Sequence, residues 1–244
     1  MSHLSVNLDL VAAMRETRRH NEPDPAQAAV LAELAGADGI VIQLRRDRKY
    51  IRDRDLYLLK GIVKTKLTFE MPPTDEFIAR ALEVKPWMVT LVADHTNDSN
   101  PVLPIELKTD SVDFGDITGR FSGVGVNVCF FVEPEPDDIK NAAKAGANAV
   151  LINCTGYTDA RTVEDAQKEL DRIDNATQVA ARMELMVHCG RGIGYRNVKP
   201  LVELGTVDEF VIGYDICARA MLVGIENAVR EMISLVRSEV ARPE

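Results

Sequence analysis

The sequence predicts an α/β protein with the fold of a (β/α)8 TIM barrel, formed as a single domain by residues 1–244. Eight short apolar runs alternate with segments of helical periodicity along the chain. These runs are continuously apolar, which is typical of parallel strands that are covered on both faces. Eight strand–helix units in about 250 residues match the size of such a barrel, whereas a doubly wound sheet usually has fewer strands.

The predicted strands and helices follow one another in regular order. The strands cover 4–8, 38–44, 66–71, 87–93, 124–132, 148–153, 184–188 and 208–213. Helical patterns lie at 24–37, 53–63, 74–84, 136–147, 162–183, 197–205 and 215–236. The connection from about 94 to 123 is long and only weakly periodic.

Capping residues support two of the helix starts. Asp24 is a favoured N-cap, Pro25 suits the first helical position, and Gly36 ends that helix. Thr74 caps the helix that follows the strand at 66–71. The segments "AGAD" and "AGAN" repeat the same helix end before a strand, as a repeated βα unit would.

Composition and charge narrow the class of protein. Asp and Glu number 38 against 29 Lys and Arg, a net charge of −9, which argues against nucleic acid or an anionic membrane as partner. No apolar run approaches the roughly 20 residues of a membrane helix, and the N-terminus lacks a signal-peptide pattern. We therefore expect a cytoplasmic protein. The four cysteines are widely spaced, which predicts free, buried thiols.

Polar residues at the carboxyl ends of the predicted strands are the candidates for an active site, because barrel enzymes place their chemistry there. They are Asn7, Asp9, Gln43, Arg45, Glu70, Asp94, His95, Asn153, His188, Arg191, Tyr214 and Asp215. Glu70 is the most informative, since a carboxylate that ends an apolar strand is costly unless it is paired or used. It is either the partner of Arg45 on the neighbouring strand or a general base.

Glycines follow the seventh and eighth predicted strands, in "GRGIG" and "IGYD". The loops at these two positions of a barrel often bind phosphate through backbone N–H groups. The alternative is that both are ordinary turns. Two groups of arginines, "RETRRH" and "LRRDRKYIRDRD", follow the first two strands. They either solvate a loop or, through Arg18 and Arg45, clamp a second anionic group.

These residues carry a family resemblance. The chain resembles the pyridoxine 5′-phosphate synthase family over nearly its full length, most clearly in "VNLDLVAAMRETR", "LTFEM", "GYRNV", "VIGYDICARAM" and the long stretch from "DPAQAAVLAELAGADGIVIQL" to "RRDRKYIRDRDL". The resemblance implies the condensation of 1-deoxyxylulose 5-phosphate with a phosphorylated amino-ketone, with no metal or organic cofactor. It also implies a homo-oligomer, usually an octamer.

The resemblance further implies roles for particular residues. Asn7, Asp9 and Arg18 would contact substrate, and Arg45 would bind the sugar phosphate. Glu70 would be a general base. Gly192 and Gly213 would hold phosphate.

The chain departs from the family pattern at five histidines. Their places are taken by Leu10, Gln43, Tyr50, Arg191 and Tyr214. Gln43 and Arg191 stand at catalytic positions of the pattern, whereas Tyr50 and Tyr214 stand at substrate-binding positions. A glutamine cannot shuttle protons and an arginine is always charged. Because the glycines remain, we expect a retained phosphate site in which Arg191 is a fixed cation beside a phosphate or a carboxylate.

Three functions stay open at this point. The first is the family reaction, carried by Glu70. The second is a different reaction on a related phosphorylated or anionic substrate, with Glu70, His188, Cys189 and the Asp94–His95 pair as candidate groups. The third is a non-catalytic ligand-binding or assembly protein. A metal site formed by His188, Cys189, Cys154 and His95 is a fourth idea, but no ligand spacing supports it and no metal is predicted.

Overall fold

The computed structural model describes residues 1–18, 20–94, 102–109 and 111–238. Eight parallel strands form a closed barrel in sequence order, and β8 pairs with β1 to close it. The predicted fold is confirmed. The strands are β1 His3–Asn7, β2 Gly39–Gln43, β3 Lys66–Met71, β4 Met88–Leu91, β5 Asn127–Val132, β6 Ala149–Asn153, β7 Met186–Gly190 and β8 Glu209–Ile212.

Helices lie between the strands and after the last one. They are α1 Asp9–Arg18, α2 Pro25–Leu34, α3 Asp53–Ile62, α4 Asp75–Val84, α5 Phe114–Ser122, α6 Pro136–Lys144, α7 Thr155–Thr158, α8 Val163–Arg182, α9 Val198–Glu203, α10 Tyr214–Val223 and α11 Ile225–Val236. Asp24 and Thr74 accept hydrogen bonds from Ala26 N and Phe77 N, so both predicted caps are confirmed.

The structure differs from the predicted elements in several places; it adds the short helix α7, and β7 ends at Gly190 rather than at His188. The segment 9–18 is helix α1, and Arg15 in its arginine-rich end is fully buried. The weakly periodic connection contains α5, which begins at the N-cap Asp113. The last predicted helix is two helices, because Gly224 between them adopts φ +81°.

The barrel interior is apolar in the middle and polar towards the amino-terminal ends of the strands. Met88, Cys129, Phe131 and Leu151 form a buried cluster. Glu209, the first residue of β8, accepts hydrogen bonds from Ser5 Oγ at 2.6 Å and from Lys66 Nζ at 2.9 Å. Across the described part of the chain, no helix has the length and apolar character that a membrane span needs.

Two candidate groups do not lie at the mouth, contrary to the sequence-based expectation. His188 pairs in register with Glu209, which places it in the amino-terminal half of the barrel, and burial lowers its pKa. Cys189 lies in the apolar core with Cys154, and hydrogen bonding to Cys154 together with burial raises the pKa of its thiol. All four cysteines are free and buried, as predicted.

Candidate active site

A cavity of about 370 Å³ opens at the carboxyl-terminal mouth of the barrel. Its walls come from the ends of β1, β2, β7 and β8 and from the segments that follow them. The predicted site residues on these walls are Asn7, Asp9, Gln43, Arg45, Tyr50, Arg191, Gly192, Gly213 and Tyr214. Sequence reasoning thus identified most of the polar surface of the cavity.

Glu70 lies below this cavity and is paired with Arg191. Its side chain is 1% exposed, and Arg191 Nη2 donates to its Oε2 at 2.9 Å. The expected pairing of Glu70 with Arg45 is wrong, because Arg45 instead forms an ion pair with Asp47. Glu70 belongs to β3 and Arg191 follows β7, so the pair joins opposite sides of the closed barrel.

Arg191 is held by further contacts. Its guanidinium carbon lies 4.8 Å from the centre of the Phe131 ring, a distance at which a cation is attracted to the ring face. Two buried atoms of the pair, Glu70 Oε1 and Arg191 Nε, have no hydrogen-bond partner among the described residues. The backbone of Arg191 is in the left-handed region at φ +77°.

Asp9 is the carboxylate that faces the cavity directly. Its Oδ1 accepts from the backbone N–H of Gln43 at 2.8 Å, and its Oδ2 accepts from Asn7 Nδ2 at 2.9 Å. Burial, and next the negative charge of Glu70, raise the pKa of Asp9 to about 6, although these two donors and Arg191 act in the opposite direction. Asp9 is therefore a group at the mouth that can exchange a proton near neutral pH.

Arg45 and Tyr50 form another wall of the cavity. The Arg45 guanidinium carbon lies 5.3 Å from the centre of the Tyr50 ring. Arg15, which sequence reasoning placed in a charged loop, supports this wall from below. It makes two hydrogen bonds to Asp55, at 2.9 and 2.7 Å, and donates to the Tyr50 carbonyl at 2.8 Å. The supporting role of Arg15 could not be predicted, because the sequence does not show whether an arginine is buried or exposed.

Both glycine loops contain backbone N–H groups without a hydrogen-bond acceptor in the described part of the chain. Among the described residues, no hydrogen-bond acceptor faces the N–H groups of Gly192, Ile193, Gly213 or Tyr214. Gly213 is the N-cap of α10 and supplies no side chain to that helix start. Unused N–H groups at a helix N-terminus form a binding site for an anion.

Packing requires a glycine at position 192. A Cβ built on Gly192 would lie 2.0 Å from Thr158 Oγ1, and its φ of +67° disfavours other residues. Asn197 braces the same loop, since its Nδ2 donates to Gly192 O and its Oδ1 accepts from Gly194 N. Thr158 and Asn197 are site-supporting residues that sequence reasoning missed, because they carry no motif of their own.

Some predicted residues are not brought to the cavity. Arg18 is the exposed last residue of α1 and does not line the cavity. Asp94 is ion-paired with Arg46, and His95, its predicted partner, lies outside the described residues. Asn153 does not line the cavity and donates to Glu133 at 3.0 Å. Asp215 does not line it either; it lies beside Gly194, and burial raises its pKa.

The described lining of the cavity contains no histidine, and within the described ranges no cluster of three or more His, Cys, Asp or Glu side chains could hold a metal ion. Besides the glycine loops, the polar part of the described lining consists of Asp9, two arginines, two side-chain amides and two tyrosines.

Fold and site together define a (β/α)8 barrel with a cavity at its carboxyl-terminal mouth, the usual location of barrel active sites, and polar side chains and glycine loops form part of its lining. The chain belongs to the PdxJ family, because the family model described as pyridoxal phosphate biosynthesis protein PdxJ matches residues 4–238.

Relatives agree with this assignment. The chain is 42% identical over 237 residues to pyridoxine 5′-phosphate synthase of Geobacter metallireducens, covering 97% of this chain and 99% of that protein. It is 42% identical over 232 residues to the protein of the same name from a Synechococcus species, covering 95% and 97%.

Solved structures resemble this chain in fold alone. One described as native KDPGal structure has a TM-score of 0.66 at 14% identity and covers 96% of this chain and 94% of its own. KGPDC from Streptococcus mutans has a TM-score of 0.63 at 13% identity, with coverage of 97% and 98%.

Proposed function

We propose that this chain is an enzyme of the pyridoxine 5′-phosphate synthase type. It binds a phosphorylated small metabolite at the mouth of the barrel and condenses 1-deoxyxylulose 5-phosphate with a phosphorylated amino-ketone. The observation that carries the proposal is the cavity itself, in which residues of the family motifs surround unused backbone donors. Membership of the PdxJ family and the names of the relatives supply the reaction.

Phosphate groups are held at two places in this proposal. The N–H groups around Gly192 and Gly213 bind one phosphate, aided by the positive end of α10. Arg45, which lies over the Tyr50 ring and is ion-paired with Asp47, binds the other through its guanidinium. Asn7, Asp9 and Tyr214 complete the contacts with substrate, and Arg18 would contribute only by moving to the cavity.

Proton transfer is assigned to carboxylates. Glu70 is the general base, and Arg191 beside it stabilises negative charge that develops on the substrate. Asp9, with a pKa raised by burial to about 6, is the second group that can accept and return a proton. Gln43, in register with Glu70 on the next strand, orients substrate through its amide but transfers no proton.

The test is product formation by the purified protein from the two substrates. Wild type should form pyridoxine 5′-phosphate, and Glu70→Gln should lower the rate by about 10²-fold or more, since it removes a general base. Glu83→Gln, an exposed carboxylate on α4, is the matched control and should leave the rate unchanged. Binding of both substrates without any product from wild type would refute the family reaction and favour a different reaction on a related substrate.

We expect this activity from a homo-oligomer in the cytoplasm. The family resemblance implies that this oligomer is an octamer. An apolar groove of about 270 Å³ between α1, α2 and α10, with the partly exposed Met14, Leu31 and Met221 on its walls, supports self-association. Light scattering of the purified protein tests the oligomeric state, and a monomer at all concentrations would contradict it.

A further inference from the structure

Arg191 stands between the cavity and Glu70. The Arg191 side chain is 20% exposed and lines the cavity, whereas Glu70 beneath it is 1% exposed and does not. A substrate in the cavity therefore meets the guanidinium before it meets the carboxylate. Glu70 can receive a proton from a bound molecule only if Arg191 shifts.

The contact between the two side chains leaves buried groups unsatisfied. One hydrogen bond joins Nη2 to Oε2, while Arg191 Nε and Glu70 Oε1 are buried and have no partner within the described chain. A bidentate arginine–carboxylate pair would satisfy both oxygens. An arrangement with two unsatisfied buried polar atoms is less stable than a fully bonded one, so moving the guanidinium away costs less free energy than breaking a bidentate pair would.

The proposed anion site lies next to Arg191 and would offer its guanidinium an alternative partner. Arg191 directly precedes Gly192, whose N–H is one of the unused donors at the anion site. An oxyanion bound there lies within reach of the long Arg191 side chain and competes with Glu70 for its charge. Once the guanidinium has turned to the oxyanion, the Glu70 carboxylate no longer lies behind it.

We propose that Arg191 is a movable cover on Glu70 and the residue that makes the site selective for anionic substrates: an oxyanion bound at Gly192 and Gly213 takes over the guanidinium and exposes the Glu70 carboxylate to the cavity. This inference rests on the proposed function, since it assumes an anion at the glycine loops. This role depends on the fixed charge and the length of the Arg191 side chain. Glu70 becomes exposed to the cavity only after an anionic substrate has bound. A ligand without an anionic group leaves Glu70 covered.

Carboxyl labelling measures the exposure of Glu70 directly. A water-soluble carbodiimide and a small amine convert exposed carboxylates to amides, and mass spectrometry of the tryptic peptide 67–80 locates them. The same peptide contains Asp75 and Glu76, which are exposed on α4 and serve as internal standards. Sulfate is the probe, because it is a tetrahedral dianion that carbodiimide does not activate, and chloride at equal ionic strength is the reference. Calorimetry measures sulfate binding in parallel.

The expected result is weak labelling of Glu70 relative to Asp75 in chloride and a rise of about tenfold in saturating sulfate. Arg191→Met should label strongly in either salt, whereas Arg196→Met, which removes an exposed arginine of the same loop, should behave as wild type. If Arg191→Met does not fold, the salt comparison on wild type decides alone.

Two results would overturn the inference while leaving the anion site intact. They are equal labelling of Glu70 and Asp75 in chloride, and unchanged labelling when calorimetry shows bound sulfate. Weak labelling of folded Arg191→Met would also refute the covering role. Absence of sulfate binding would refute the anion site of the proposed function and the inference with it.

Discussion

The backbone N–H of Gln43 donates to Asp9 Oδ1 at 2.8 Å, and this bond ties the carboxylate after β1 to the last residue of β2. It holds Asp9 beside a position where the resemblance implies a catalytic histidine in the family. Because burial, followed by the charge of Glu70, raises the pKa of Asp9 to about 6, this carboxyl changes its protonation in the range in which a histidine would. A proton-transfer group is therefore present at the mouth without any histidine side chain.

Asp9 predicts the pH dependence of the reaction. A base must be ionised, so kcat/KM should rise as pH increases through about 6 and should fall below it. Asp9→Asn should remove this limb and lower the rate by about 10²-fold or more. The measurement is the pH–rate profile of both proteins, and a limb near 6 that survives in Asp9→Asn would contradict the assignment.

The same pKa has a consequence for stability. Since the folded state binds the Asp9 proton more tightly than the unfolded chain does, protonation of Asp9 stabilises the fold fully below the unfolded value of 3.8. That stabilisation is lost as pH rises through about 6. Urea unfolding of wild type across this window should show the loss, and Asp9→Asn should lack this part of the pH dependence.

The absence of histidine at two catalytic positions predicts a slow enzyme. Each positioned proton-transfer group is worth about 10²–10⁴ in rate, so two missing shuttles cost roughly 10⁴-fold if nothing replaces them. We expect little product from wild type in comparison with histidine-containing relatives, and more from the double variant Gln43→His, Arg191→His.

Single-turnover assays of the wild type and the double variant, with the two family substrates, measure this difference. Robust turnover by wild type at the rate of the relatives would show that Asp9 and Glu70 suffice. A double variant that binds substrate but gains no rate would show that other parts of the site have diverged too.

The fold was predictable from sequence because its signals are local. The strand at 66–71 was predicted with its observed ends, and Asp24 and Thr74 cap as expected. Such signals depend on neighbours in the chain, which a sequence displays directly. The division of the last helix at Gly224 was missed, because a glycine inside a helical pattern does not reveal its φ.

The composition of the site was predictable, whereas its pairings were not. Strand order placed the polar residues at the mouth, but Glu70 pairs with Arg191 across the barrel rather than with Arg45 on the adjacent strand. Closure of the barrel brings β3 and β7 side chains together at a sequence separation of 121. Likewise, burial, followed by the negative charge of Glu70, raises the pKa of Asp9 above that of a typical aspartate, and both causes arise only in the folded chain.

Gly192 predicts a difference between two glycine substitutions. Gly125→Ala places a side chain at φ +76° with nothing within 4 Å of the new Cβ, so it should cost about 1–2 kcal/mol of backbone strain. Gly192→Ala adds a clash with Thr158 at 2.0 Å to the same strain and should destabilise more, by about a further 1–3 kcal/mol. Urea unfolding compares the two variants.

Ligand binding separates the two roles of Gly192. Because the clash moves the loop whose N–H groups we propose as the anion site, Gly192→Ala should also weaken phosphate binding in calorimetry, whereas Gly125→Ala should not. Equal phosphate affinity in the two folded variants would make Gly192 a packing residue only.

The buried pair of Arg15 and Asp55 predicts a large and specific loss of stability. Both side chains are at most 2% exposed and are joined by two hydrogen bonds, and Arg15 also binds the Tyr50 carbonyl. Arg15→Met leaves the Asp55 charge uncompensated in the interior, so unfolding free energy should fall by about 3–5 kcal/mol. Adding Asp55→Asn removes that charge and should restore a large part of the loss.

The control for this prediction is Arg54→Met. It removes an exposed arginine of α3, the helix of Asp55, from a 3.5 Å contact with Asp24, and it should change the free energy of unfolding by only about 0.5 kcal/mol. Urea unfolding measures all four proteins, and if the double variant is no more stable than Arg15→Met, then lost packing and the unsatisfied Tyr50 carbonyl, rather than the buried charge, account for the effect.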